Sequence, residues 1–185
     1  MKVYIEAGAN NGIFQSRSLG HVNDEEYFGI LIEALPNVTE QCRRNRETKN
    51  CIVINSALVS FDYPDDTVEI NLHRRHTAMA SVRDLDKNEY PNKIRVKAAT
   101  LTDILTNLKI DKVDAFYLDV EGYEFNVLDG INFDRINFRY ILIETEFPEK
   151  LTKFLSSKNY NFVERLSNYN FIEKPLYGDY LFKYN

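Results

Sequence analysis

The sequence has no tryptophan and only two cysteines, Cys42 and Cys51, in 185 residues. Two cysteines cannot make the disulfide framework of a small secreted scaffold, and neither has zinc-ligand spacing. Both are expected to be reduced, which points to a reducing compartment and, most simply, the cytoplasm. Proline and glycine are scarce as well, at 5 and 7 residues. No Gly/Ser linker, low-complexity tract or internal repeat breaks the chain, so residues 1–185 read as a single domain. No stretch approaches the ~18 consecutive apolar residues of a membrane span. Met1 and Lys2 lead straight into Val3-Tyr4-Ile5, without the apolar region of a signal peptide. Positive charge is also in deficit: 23 Lys and Arg stand against 28 Asp and Glu, for a net charge of −5. That balance argues against a sequence-independent nucleic-acid binder, which needs a basic face. Arg74 and Arg75 are the one local basic patch singled out.

What is present is strand–helix alternation. Val3-Tyr4-Ile5, residues 28–32, residues 52–55, residues 115–118 and residues 140–143 are short apolar runs that read as buried strands. Helical patterns are expected at residues 14–19, from Pro36 to Arg44, from the cap Thr100 to Leu108, at 123–128 and at 148–156. In the middle, strands at 67–72 and 94–97 flank a polar loop, 74–92. Strands at 160–164 and 180–184 lack a confident helix between them, which suggests an antiparallel final pair. Apolar strands alternating with helices signal an α/β fold whose mainly parallel sheet is covered by helices on both faces. Ligands of such sheets sit beyond the carboxyl ends of the strands.

The residues just after each strand are therefore the ones that matter. After the first strand comes Glu6-Ala7-Gly8-Ala9-Asn10-Asn11-Gly12. Gly8 can adopt a backbone shape barred to other residues and lets a ligand approach, and Gly12 lets the chain that follows start close to the sheet. Glu6 would repel a nucleotide diphosphate but attract a ligand with a cationic ammonium and no phosphate. S-adenosylmethionine is such a ligand. Glu33, at the end of the second strand, is placed to accept hydrogen bonds from two ribose hydroxyls.

With these residues in place the sequence resembles the FkbM family of methyltransferases. That family's first motif, an acid, a small residue, Gly-Ala-Asn, any residue and Gly, stands here at residues 6–12. Its acid-Pro-Asn motif stands as Glu33-Ala34-Leu35-Pro36-Asn37, one residue longer. Asn55-Ser56-Ala57-Leu58-Val59-Ser60 is similar to the family stretch beside the adenine. Thr100 to Asp103 matches its Thr-Leu-Asp helix start. Asp119-Val120-Glu121-Gly122-Tyr123-Glu124 resembles its Asp-Val-Glu-Gly-x-Glu signature, followed by Val127-Leu128-Asp129-Gly130. Ile141-Leu142-Ile143-Glu144 matches its late strand. The resemblance covers residues 3–146. It implies a Rossmann-like class I methyltransferase that binds S-adenosylmethionine through Glu6, Gly8, Ala9, Asn10, Gly12, Glu33, Ala34, Ser56, Ala57 and Asp119. It also implies a sugar hydroxyl as acceptor, on a glycan or a small glycosylated molecule. The helices that often precede the first strand are missing, so a lid is expected from the middle insert, a partner subunit or a larger parent protein.

Methyl transfer to an alcohol requires a base or a metal to handle the departing proton. The candidates are Asp119, Glu121, Glu144, Glu146, His73 and His76. Asp119 and Glu144 close adjacent strands and could hold Mg2+ or Mn2+ with waters. Alternatively, one carboxylate is the base and no metal binds. His73-Arg74-Arg75-His76 opens the polar insert, where a His could be the base and an Arg could bind the substrate. His21 reads as a surface residue. Two rival readings stay open: a dinucleotide-binding oxidoreductase, and a non-catalytic module that retains a cofactor fold. Glu6 and the lack of Gly-x-Gly-x-x-Gly spacing oppose the first, and the strand-end acids oppose the second. A homo-oligomer is also compatible with the sequence.

Overall fold

The computed structural model describes residues 1–73, 82, 90–167, 169, 171 and 173–185. In chain order its first half holds β1 (Lys2–Ala7), β2 (Tyr27–Glu33), α1 (Pro36–Arg46), β3 (Cys51–Asn55), β4 (Ala57–Leu58), β5 (Thr67–Leu72) and β6 (Asn92–Ala99). There follow α2 (Leu101–Leu108), β7 (Lys112–Leu118), α3 (Glu124–Asp129), β8 (Asn137–Thr145), α4 (Pro148–Ser156), β9 (Tyr160–Arg165) and β10 (Gly178–Tyr184).

Seven strands make one sheet in the order β3-β2-β1-β7-β8-β10-β9. The first five are parallel neighbours, and β10 runs antiparallel to both β8 and β9. Side chains alternate across the sheet, so Val3, Ile5 and Ala7 of β1 join one core while Tyr4 joins another. The larger core takes its helical side chains from α2, α3 and α4, for example Leu101, Leu105, Val127, Leu128, Leu151 and Leu155. Opposite it, Cys42 of α1 packs on Leu31, Cys51 and Val53. Helices thus flank both faces, as expected for two-sided burial of parallel strands. A second small sheet, β4-β6-β5, packs Ala57, Val68, Ile70 and Val96 against Leu35 and Val38 at the start of α1. Thr100 caps α2 as expected, its hydroxyl accepting the Asp103 N–H at 3.0 Å.

One expected element does not form. Residues 14–18 form irregular turns, followed by a single 3-10 turn at Leu19–His21. The local side chains compete with the helix. Asn11 Oδ1 accepts the N–H groups of Ile13 and Phe14, and Gln15 takes a left-handed φ of 56°. Ser16 and Ser18 give their hydroxyl protons to Glu6 instead of facing solvent. The polar insert falls mostly outside the described residues, including Arg74, Arg75 and His76. Among the described residues no helix is long and apolar enough to cross a membrane.

Candidate functional site

The carboxyl ends of β1, β2, β3 and β7 meet around one cavity with about 910 Å³ of unfilled space, part of it open to solvent. Ala7, Gly8, Asn10, Glu33, Ala34, Ser56, Ala57, Asp119 and Glu121 line it. Most of the residues expected at the cofactor are therefore brought together. Phe14, Gln15 and Ser16 from the turn segment form another wall.

Gly8 shows why this loop cannot carry a side chain at its first bend. Its φ is +80°, and a Cβ there would sit 1.7 Å from the Asp119 carbonyl oxygen. The loop is fixed by backbone hydrogen bonds: Gly8 and Ala9 N–H groups both donate to Ile32 O, and Asp119 N–H donates to Ala7 O. Glu33 Oε2 accepts the Asn10 N–H and Oε1 accepts the Leu35 N–H, each at 2.9 Å. Burial raises its carboxyl while those backbone donors hold it down. Each oxygen keeps a further acceptor site, so the carboxylate is aimed and still has capacity for a diol. Asn55 braces the same corner by donating to the Glu33 and Ala34 carbonyls.

Three expected cofactor contacts take other places. Glu6 is buried and does not line the cavity. Its oxygens accept from the Ser16 and Ser18 hydroxyls and the Arg17 N–H. Ala9 is buried in the smaller core. At Gly12 a Cβ would meet Arg46 and Cys42 side chains at 2.5 and 2.9 Å, so this glycine makes room for α1 and not for a helix start. Arg46, itself buried, donates to Gly12 O, Ser16 Oγ, Ser18 Oγ and Tyr4 Oη. Glu6 and Arg46 together anchor the segment that walls the cavity.

The acid side lies next to this. Leu118 of β7 pairs with Ile143 of β8, so Asp119 and Glu144 follow at adjacent strand positions. Asp119 is pushed well above the usual carboxylate range by burial first, then by the charges of Glu144, Glu121 and Glu124. Glu121 is pushed up to about 7 by burial and by Glu144 and Glu124. It sits at a left-handed φ of 55°, a conformation uncommon for a glutamate. Glu124 turns back and accepts the Gly122 N–H at 2.8 Å, a structural role in the turn.

Glu144 is held differently. It pairs across β8 and β10 with Asp179, which is buried. Arg17 Nη2 reaches Asp179 at 2.8 and 2.9 Å, Glu144 at 3.1 Å and the Tyr169 hydroxyl at 2.6 Å. Burial works against the Arg17 charge, but Asp179, Tyr169 and Glu144 hold its proton more tightly than usual. Tyr169 and Tyr177 donate their hydroxyl protons to Glu144. The expected Mg2+ or Mn2+ site at Asp119 and Glu144 does not fit this arrangement. Glu144 is already met by three donors, and among the described residues no group of three or more His, Cys, Asp or Glu side chains is placed to hold a metal. His73 follows β5, lies edge-on to Tyr90 with centroids 5.1 Å apart, and is not among the cavity's lining residues. His76 lies outside the described residues. His21 is not simply a surface residue: its ring stacks on Tyr4, and its Nε2 is 2.9 Å from the Tyr117 hydroxyl.

Arg17, Tyr169, Tyr177 and Asp179 were not expected at the site from sequence. Arg17 and Asp179 lie 162 positions apart, and no local spacing signals their contact.

Comparison with known proteins bears on the family and the fold. The profile of the methyltransferase FkbM domain matches residues 6–171. Among solved structures the chain is similar to a methyltransferase FkbM from Methylobacillus flagellatus KT, at 15% identity and a TM-score of 0.60. The match covers 99% of this chain but only 43% of that one, so the chain spans less than half the length of this relative. It is also similar to precorrin-6y C5,15-methyltransferase from Geobacter metallireducens GS-15, at 13% identity and TM-score 0.53, over 98% of this chain and 79% of that one. Aeropyrum pernix fibrillarin with natively bound S-adenosyl-L-methionine gives 12% identity and TM-score 0.53, over 98% and 66%. A comparison with curated proteins gave no match. At these identities the solved structures show the fold, that of a class I methyltransferase, and the domain match shows the family: the chain belongs to the FkbM methyltransferases.

Proposed function

We propose that this domain transfers a methyl group from S-adenosylmethionine to a hydroxyl group, with a sugar of a glycan or small glycosylated molecule as acceptor. The observation that carries the donor half is Glu33, whose two oxygens are each fixed by one backbone N–H at the rim of a cavity floored by Gly8 and Asn10. The residues fit the donor: Glu33 receives the ribose hydroxyls, Ser56 and Ala57 flank the base, and Asp119 faces the cationic end. The sulfonium supplies the activated methyl group. The chain's own residues do the rest. They orient the donor, exclude water with Phe14, and accept the proton of the attacking alcohol. Glu121 is the best placed base, because it lines the same cavity and its carboxyl lies near neutrality. Glu144, engaged by Arg17 and two tyrosines, is a positioning residue. The cytoplasm is the proposed location, in keeping with two buried free cysteines.

The test is incubation with methyl-labelled donor and a panel of nucleotide sugars and oligosaccharides, with and without chelator. Label transfer that survives chelator supports the reading. Thermal stabilisation by NAD and not by S-adenosylmethionine would overturn it in favour of an oxidoreductase. Donor binding with no transfer to any sugar would leave a binding module.

A further inference from the structure

The segment between β9 and β10 carries three aromatic rings that serve no core. Tyr169, Phe171 and Tyr177 pack on one another, with centroids 5.3 to 6.0 Å apart. None of them belongs to the hydrophobic cores. Phe171 is 51% exposed and Tyr169 36% exposed. A cluster of large rings left facing water marks an interaction site. Its position is fixed by the tyrosine hydroxyls, which donate to Glu144 at the end of β8. Glu144 in turn stands beside Asp119, since the residues just before them, Ile143 and Leu118, pair across β8 and β7. The rings therefore stand one strand away from Asp119, which lines the donor cavity together with Glu121.

We infer that this aromatic trio is the acceptor platform, and that it stacks on the C–H face of a pyranose ring. The inference rests on the methyltransferase reading above. The chemistry of the rim selects the ligand class. Tyr169 and Phe171 lie within 19° of parallel, with Tyr177 tilted to them by 43° and 47°, and such apolar rings bordered by carboxylates match a molecule with one C–H face and an edge of hydroxyl donors. A polyphosphate or nucleic-acid acceptor would meet Asp119, Glu121, Glu144 and Glu146, with Arg17 and Lys174 as the nearby cations. Like charges at such range disfavour it. Arg17 joins the two halves, since its backbone N–H is held by Glu6 beside the donor wall and its side chain holds Tyr169.

Saturation-transfer NMR tests the assignment. The probes are the methyl pyranosides of glucose, galactose, mannose and rhamnose, each added to protein saturated with S-adenosylhomocysteine. The expected result is saturation concentrated on the ring C–H protons of at least one probe. Phe171→Ala should weaken that signal about fivefold, and Phe171→Trp should retain it. S-adenosylhomocysteine affinity should stay within about twofold in both variants, because Phe171 is not among the residues that line the donor cavity. No saturation of any pyranoside, or equal saturation in Phe171→Ala, would overturn the platform while leaving donor binding intact. Saturation of phenol in place of the sugars would overturn it in favour of an aromatic acceptor. Failure of the wild type to bind S-adenosylhomocysteine would overturn the donor reading and the platform with it.

Discussion

On the proposed donor side, Gly8, Ala9, Asn10, Glu33 and Leu35 are fixed largely by main-chain groups of β1, β2 and the turns that follow them. On the proposed acceptor side, Arg17, Glu144, Tyr169, Tyr177 and Asp179 are fixed almost wholly by side chains from three distant parts of the chain. The first arrangement follows from strand geometry and at Gly8 leaves no room for a side chain. The second depends on charge and hydroxyl groups. A methyltransferase has one donor and many acceptors, and the two constructions suit those two demands.

The sharpest way to break the contrast is Gly8→Ala. Its Cβ meets the Asp119 carbonyl at a φ that disfavours any side chain. Thermal melting should reveal a loss of about 3 kcal/mol or more, roughly 6–12 °C for a chain of this length. Preserved stability would show that the loop is softer than its hydrogen bonds imply. Next, Glu33→Ala should lower S-adenosylmethionine affinity about 10–100-fold in calorimetry, since two backbone donors lose their acceptor along with the diol contact.

Arg17→Gln addresses the other side. It removes the cation from the buried Asp179, which keeps the Ser167 hydroxyl among the described residues. A loss of about 2 kcal/mol is expected in chemical denaturation, with donor affinity changed less than about threefold. A large loss of donor affinity would mean that the two sides are not separable.

The pH dependence comes next in size. Asp119 and Glu121 carry raised carboxyls. The donor-free folded protein therefore binds protons that the unfolded chain releases near pH 4. Their contribution to stability is complete below that point and is lost as pH rises, for Glu121 through about 7. Melting temperature should fall between pH 5 and 8, and Glu121→Gln should flatten that fall by about 2–3 °C. Donor binding should run the opposite way, tightening as pH rises with proton release, because a cationic ligand favours ionised Asp119. The smallest effect belongs to Lys174→Ala. Its pair with Glu146 is exposed on the lysine side, 3.2 Å long, and its loss should cost less than about 0.5 kcal/mol in the same denaturation assay.

The same contrast explains what could be read from the sequence. The strands, the glycine bend and Glu33 were legible because each is marked within a few residues of a strand end. The antiparallel last strands were legible from the missing helix between them. The failed helix at 14–19 was not, because Ser16 and Ser18 look like ordinary helix-edge polar residues until Glu6 is seen beneath them. Glu6 itself was legible as a special acid, yet its placement inside the loop's own hydrogen bonds was not. Arg17 and Asp179 were illegible for a plainer reason: their contact is made by the fold as a whole, through the return of β10 beside β8.

The close approach at Gly8 has a consequence for how such a protein can change. The strip of chain that seats the donor and the strip that carries Asp119 touch through main-chain atoms, with no rotamer in between. The spacing of these two strips is therefore gauged by two backbones, like the fixed jaw of a caliper. On the proposed assignment, substitutions at Tyr169, Phe171 or Tyr177 would reshape the acceptor platform without altering that opening, so the acceptor could change while the donor seat stays fixed.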